Sequence, residues 1–117
     1  MKTILVLDST EEISKLVRSI LVDSHPGSMI IHVRHGDTVS NFLKARGGGL
    51  DVFIANAELS TSALVEKVLQ DHPKTRVIVI DEDESGEPKG HKAHTTLRGP
   101  LKRSHLAEAL TRKQSSS

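Results

Sequence analysis

Short β-rich runs alternate with amphipathic helical patterns along this chain. Four runs lie at residues 4–7, 29–33, 51–55 and 77–80, and a shorter one lies at 95–98. Between them, apolar residues recur at the i, i+3, i+4 spacing of a helix, most clearly at Ile13, Leu16, Val17, Ile20 and Leu21. Runs that are apolar on both faces are typical of strands buried in a parallel sheet. The alternation therefore predicts an α/β fold with a doubly wound, five-stranded parallel sheet.

Local signals predict the ends of the helices. Residues 9–12 have the pattern of a capping box, in which the Ser9 side chain caps the first helix and Glu12 reaches back to the Ser9 N–H. The His-Pro-Gly sequence at residues 25–27 ends this helix, and Pro73 ends the third one.

The segment between the fourth and fifth strands, residues 82–94, lacks a helical pattern. Gly86, Pro88 and Gly90 would interrupt a helix, and Ala93 is the only apolar residue there. We therefore expect the fourth helix, between these strands, to be short or missing. The segment is then either a shortened solvated loop or a remodelled surface for a partner.

Length and composition limit the domain organisation and the class of protein. The 117 residues fit one domain, which we assign to residues 1–113, followed by a disordered polar tail at 114–117. The chain has no cysteine, which excludes disulfides, thiolate catalysis and Cys-bearing metal sites. The longest apolar run is far short of the ~20 residues of a membrane span. These features predict a small soluble intracellular domain.

Polar side chains directly follow several of the predicted strands. They are Asp8 and Ser9 after the first strand, Asn56 after the third and Asp81 after the fourth. Because the carboxyl ends of parallel strands meet at one edge, the topology brings these residues together. Two interpretations remain open at this point. The carboxylates of Asp8 and Asp81 are simply solvated, or they form a pocket with Asn56 and a cation or basic side chain.

Two histidine pairs, His32 with His35 and His91 with His94, resemble the spacing of metal ligands. His32 and His35 would face opposite sides of a strand end, and no third ligand is evident. We therefore interpret these histidines as ordinary surface residues, and we expect neither a metal nor another cofactor.

Three segments together resemble a response-regulator receiver domain of the CheY-like family. Residues 4–8 resemble its first strand with the acidic end, and residues 50–56 resemble the strand that carries the phosphoacceptor. Residues 99–101, Gly-Pro-Leu, are similar to the Lys-Pro-aromatic turn before the last helix. The resemblance covers residues 2–112 and implies a flavodoxin-like fold.

The positions that match the family's active site are mostly altered. Asn56 stands at the position of the phosphoacceptor aspartate, and an amide does not form an acyl phosphate. Ser9 replaces one of the paired acids that hold Mg²⁺, which leaves Asp8. Asp81 stands at the position of a Thr or Ser, and Gly99 at that of the phosphate-binding Lys. The resemblance thus implies an inactive phosphoacceptor site in an atypical pseudo-receiver.

Two further positions follow from the same resemblance. Glu58 lies where receivers offer a backbone oxygen to the metal, and a surface role is the simpler interpretation. Pro100 follows Gly99 at the switch turn, where receivers commonly have a cis peptide bond, and we expect a cis bond here.

The favoured functional hypothesis is a phosphorylation-independent receiver domain, a protein–protein interaction module of cytoplasmic two-component or phosphorelay signalling. Its partner would be a protein of the pathway or a second copy of the chain. The alternative is a nucleic-acid-binding accessory, because residues 89–113 carry seven basic side chains against Glu108 alone. The net charge of +1, the two aromatic residues and the lack of a helix-turn-helix oppose that alternative. We do not expect an enzyme, because no nucleophile–base pair or cofactor fingerprint is present.

Overall fold

Parallel strands and helices alternate in the computed structural model, which describes residues 3–24, 26–46, 50–56, 62–81, 95–98 and 102–111. The strands are β1 (Thr3–Leu7), β2 (Met29–Val33), β3 (Val52–Asn56), β4 (Arg76–Asp81) and β5 (Thr95–Arg98). The helices are α1 (Glu12–Ser24), α2 (Gly36–Arg46), α3 (Ser62–Asp71) and α4 (Arg103–Thr111). Neighbouring strands are all parallel, in the order β2-β1-β3-β4-β5. The predicted doubly wound parallel sheet is confirmed.

The sheet separates two hydrophobic cores because its central strands are apolar on both faces. One core joins alternate strand residues to α1 and α4, with Val17 and Leu106 completely buried. The other core joins the remaining strand residues to α2 and α3, with Phe53 and Val65 completely buried. Each face of the sheet is thus covered by a helix pair, which holds the strand ends in fixed positions.

Hydrogen bonds at the amino edge of the sheet fix where the central strands begin. The Asp51 carboxylate accepts from the Thr3 N–H at 2.8 Å, and the Thr3 carbonyl accepts from the Asp51 N–H at 3.0 Å. The buried Thr75 hydroxyl donates to the Leu50 carbonyl at 2.7 Å. These bonds set the starts of β1, β3 and β4 relative to one another, and therefore also the positions of their carboxyl ends.

The start of α1 differs from the capping box predicted with Ser9 as the N-cap. Glu12 is the first helical residue, and the first intrahelical bond runs from the Lys15 N–H to the Glu11 carbonyl at 2.9 Å. Thr10, not Ser9, provides a side-chain acceptor, since its hydroxyl lies 3.4 Å from the Glu12 N–H. The reason is that Asp8 accepts from the Thr10 N–H, which holds these residues in an Asx turn before the helix.

Most of the other predicted boundaries agree with the structure within a few residues. α1 ends at Ser24, and Gly27 has a φ of +84°, a left-handed conformation that glycine adopts without strain. α3 ends at Asp71, two residues before Pro73. None of the described helices is long and apolar enough to cross a membrane.

Several predictions concern residues outside the described ranges. They are the short or missing fourth helix at 82–94, the cis bond between Gly99 and Pro100, the surface position of Glu58, the two histidines His91 and His94, and the tail at 114–117.

Candidate functional site at the carboxyl edge of the sheet

The reversal of the strand order places a crevice between β1 and β3 at the carboxyl edge. In the strand order, β2 is the neighbour of β1 in one direction, and β3 is its neighbour in the opposite direction. Ligands of open α/β sheets bind at such a switch point. The register pairs Leu7 with Ala55, so that Asp8 and Asn56 are the next residues on the two adjacent strands.

Asp8 is the centre of the hydrogen-bond network at this crevice. Its side chain is buried, with 4% of the residue exposed. One carboxylate oxygen, Oδ1, accepts from the Thr10 N–H at 2.9 Å and from the Thr10 hydroxyl at 3.3 Å. The other, Oδ2, lies 3.5 Å from the amide nitrogen of Asn56. Neutral donors therefore satisfy the buried charge, as burial of a carboxylate requires.

Asn56 closes the crevice from the neighbouring strand. As the last residue of β3 it is half-buried, and its amide is directed at the Asp8 carboxylate. A carboxylate only accepts hydrogen bonds, so the NH₂ end of the amide is the group that faces Asp8. The contact joins residues 48 positions apart in the chain.

Asp81 is buried at the end of β4, with 5% of the residue exposed. The register pairs Asn56 with Ile80, which places Asp81 one residue further along the adjacent strand. Both residues are buried, which contradicts the interpretation of Asp8 and Asp81 as solvated carboxylates. The structure brings Asp8 and Asn56 into contact and places Asp81 on the next strand.

Ser9 does not belong to a buried pocket. Its side chain is exposed, and its carbonyl oxygen accepts from Arg34 Nη1 at 3.2 Å. Among the described residues, Asp8 and Asp81 are buried whereas Ser9 is exposed, so Ser9 differs from the two acids in its surroundings. The grouping of Ser9 with the acidic residues stays a prediction.

The end of β2 clamps the β1–α1 turn, which the sequence interpretation missed. The ring nitrogen Nε2 of His32 lies 2.9 Å from the Asp8 carbonyl oxygen and donates to it. Arg34 adds the bond to the Ser9 carbonyl and a 4.0 Å ion pair with Glu11. His32 is half-buried and bonded to the backbone of the turn, a contact that the sequence did not indicate, whereas His35 is exposed. The sequence shows that the end of this strand carries polar residues. It does not show which groups these residues bind, because that depends on the strand order.

Comparison with known proteins identifies solved structures that have the same fold. No protein-family model matches the chain. No curated protein matches it either. Among solved structures, 107 chains match. The chemotaxis response regulator CheY4 of Vibrio cholerae has a TM-score of 0.71 at 21% identity, over 96% of this chain and 98% of that chain.

Two further structures give similar values. The signal receiver domain of an HD domain-containing protein from Pseudomonas fluorescens Pf-5 has a TM-score of 0.70 at 21% identity, over 93% of this chain and 83% of that chain. NtrX from Brucella abortus has a TM-score of 0.73 at 24% identity, and the match covers 96% of this chain but 26% of the longer NtrX chain. This chain has the receiver fold. The similarity at these identities establishes the fold, and the functional groups are judged residue by residue.

The sequence resemblance matches Asn56 with the phosphoacceptor of receivers, Asp8 and Ser9 with the paired acids, and Asp81 with the hydroxyl residue. The structure places Asn56 at the last position of β3 and Asp81 at the last position of β4, while Gly99 lies outside the described residues. At the end of β3 the described site thus has a carboxamide beside the buried Asp8 carboxylate.

The described groups do not fit the Mg²⁺ ion that the receiver fold implies. Magnesium binds carboxylate oxygens in an octahedron and keeps several waters. Here the Asn56 amide directs an N–H, not an oxygen, toward the Asp8 carboxylate, and Thr10 occupies the other carboxylate oxygen. Across the described ranges, no three His, Asp or Glu side chains are grouped closely enough to hold a metal ion.

The clamp at His32 leads to a stability prediction. We expect His32→Ala to lower the free energy of unfolding by about 1 kcal/mol, because the Asp8 carbonyl loses its side-chain donor. His35→Ala is the matched control and should change it by less than about 0.5 kcal/mol, because His35 is exposed. Urea unfolding of both variants measures the difference. Equal effects of the two substitutions would show that the clamp does not contribute.

Proposed function

We propose that this protein is a cytoplasmic, receiver-fold interaction module of two-component signal transduction that works without phosphorylation of its own carboxyl-edge site. The observation that carries the proposal is the Asn56 amide directed at the buried Asp8 carboxylate, 3.5 Å from its Oδ2. An amide at residue 56 is not a nucleophile. A carboxylate at residue 56 would need a metal ion to lie next to Asp8, whereas the amide N–H donates to Asp8 directly.

The chemistry of phosphoryl transfer supports the first part of this proposal. A carboxylate attacks phosphorus with an oxygen lone pair and forms an acyl phosphate, whereas a neutral amide is a poor nucleophile. The Asp8 carboxylate lies beside Asn56, but it is buried and already accepts from Thr10 and Asn56. Attack by Asp8 would require the loss of these bonds in a buried site, which is costly.

The arrangement of the turn supports the second part. The Asp8 carboxylate, the Asp8 carbonyl and the Ser9 carbonyl are all bonded within the chain, to Thr10, Asn56, His32 and Arg34. Internal hydrogen bonds therefore fix the β1–α1 turn at the carboxyl edge. A domain of this kind suits a partner that recognises a constant surface, and the signal would come from the partner or from the abundance of the protein.

The test is phosphorylation by a small-molecule donor. We expect incubation with acetyl phosphate and Mg²⁺ to add no phosphate to the wild-type protein, as measured by intact mass spectrometry. Asn56→Asp serves as the control, since it restores the carboxylate at the matching position and should accept phosphate. A stoichiometric phosphate adduct on the wild-type protein would contradict the proposal.

The partner class is tested in the native host. Affinity purification of the tagged chain, after in-cell cross-linking, should recover a signalling protein at the same yield from the wild type and from Asn56→Ala. A yield that follows the phosphorylation state of the cell would contradict phosphorylation independence.

A further inference from the structure

The end of α1 and the start of β2 enclose a groove at the amino edge of the sheet, opposite the crevice at Asp8. Its cavity of about 210 Å³ is lined by Leu21 and Val22 of α1, by Pro26 of the connecting turn and by Ile30 of β2. A cavity of roughly 150 Å³ already holds a molecule of the size of benzene. The groove therefore has room for one large apolar side chain.

The groove combines a buried base with an exposed apolar wall. Leu21 is 1% exposed and belongs to the core, and Ile30 packs against the same core, so the base is rigid. Val22 is 62% exposed, so its side chain forms an open apolar wall of the groove. At protein interfaces, rigid apolar pockets of this kind hold an anchor side chain of the partner.

Charge determines the kind of partner that fits. Arg18 is the charged residue of the lining, one helical turn before Val22. No carboxylate within the described part of the chain forms an ion pair with its guanidinium, whereas Lys15, on the same helix, pairs with Glu11 at 3.9 Å. Arg18 is exposed and lines the groove, and a guanidinium in this position can pair with a carboxylate of a partner.

We propose that this groove binds a short acidic segment of a partner protein, in which an aliphatic side chain enters the cavity and a neighbouring Asp or Glu pairs with Arg18. The groove is at the edge of the sheet that the Asp8 network does not reach, so binding there leaves Asp8 and Asn56 undisturbed. The inference deepens the proposed interaction function, on which it rests, by giving the partner surface and its chemistry.

The probe is a displayed library of random peptides, selected on the immobilised full chain. We expect enrichment of peptides with an aliphatic residue next to Asp or Glu. Their binding should weaken about tenfold or more on Arg18→Glu, as expected when an interfacial charge pair becomes a pair of like charges. Val22→Ser should also weaken it. Both side chains are exposed, and circular dichroism verifies that the variants fold.

Lys67→Glu is the matched control, because Lys67 is an exposed base on α3, on the other face of the sheet. It should leave the affinity of the enriched peptides unchanged. Three outcomes would overturn the inference: no enrichment, enriched peptides that bind Arg18→Glu as well as the wild type, or a dimer of the chain that Val22→Ser dissociates. Phosphate uptake by the wild type would contradict the proposed function without affecting peptide binding, so the two failures are distinguishable.

Discussion

Replacement of Asn56 by Asp is expected to lower the free energy of unfolding by about 2 kcal/mol in the presence of a chelator. The change removes the amide donor from the buried Asp8 carboxylate and places a second carboxylate in its position, where the two oxygens would lie near the present 3.5 Å contact. Like charges at this distance repel, and burial weakens the screening by solvent. Urea denaturation with EDTA measures the loss.

The same variant should gain a response to divalent cations that the wild type lacks. Two adjacent carboxylates form a binding site for a hard cation, and binding to the folded state alone raises stability by mass action. We therefore expect millimolar Mg²⁺ to recover much of the lost stability of Asn56→Asp and to leave the melting temperature of the wild type unchanged.

Asn41→Asp is the control for charge, because Asn41 is exposed on α2. Asn41→Asp makes the same chemical change at an exposed position outside the site. It should shift the free energy of unfolding by less than about 0.5 kcal/mol. If Asn56→Asp proves as stable as Asn41→Asp without Mg²⁺, then the Asp8–Asn56 hydrogen bond does not have the role assigned to it.

Truncation of Phe53 is expected to have the largest effect of any single substitution considered, about 4 kcal/mol for Phe53→Ala. Phe53 is a completely buried residue in the middle of β3, packed between the sheet and helices α2 and α3. The loss combines the transfer free energy of the ring with the cavity that it leaves. Against the 5–15 kcal/mol typical of a small domain, this removes a large part of the total stability.

Phe42→Ala provides the comparison, since Phe42 of α2 packs against the same core but is half-buried. We expect a cost of about 2 kcal/mol for it, because part of the ring is already in water. Denaturant unfolding, with melting followed by circular dichroism, ranks the two variants. A Phe53→Ala variant as stable as Phe42→Ala would contradict the placement of Phe53 in the core.

The parts of the site that the sequence predicted are those that depend on chain direction alone. Asp8, Asn56 and Asp81 each follow a β-rich run, and parallel strands bring their carboxyl ends to one edge. The sequence likewise shows that the residue after the third run is an amide, Asn56, and not a carboxylate. What could not be predicted was the burial of Asp8 and Asp81, because burial depends on tertiary packing and not on a local pattern.

The sequence by itself determined the fold class and the two cores. Strand runs such as residues 4–7 are apolar on both faces, and helices such as α1 have one apolar face, so only a covered parallel sheet buries them together. These signals are local, so they can be recognised in the sequence without knowledge of the tertiary structure.

Only the tertiary structure decided which polar groups are partners. The Asn56–Asp8 bond spans 48 residues and the His32–Asp8 bond spans 24, and both exist because β1 lies between β2 and β3 in a fixed register. The later start of α1 has the same origin. Once Asp8 is buried at the strand end, its carboxylate binds the Thr10 N–H, and the helix begins at Glu12 instead of directly after Ser9. Hydrogen bonds between strands depend on register, and a register is set by the packing of the whole sheet, not by any local pattern.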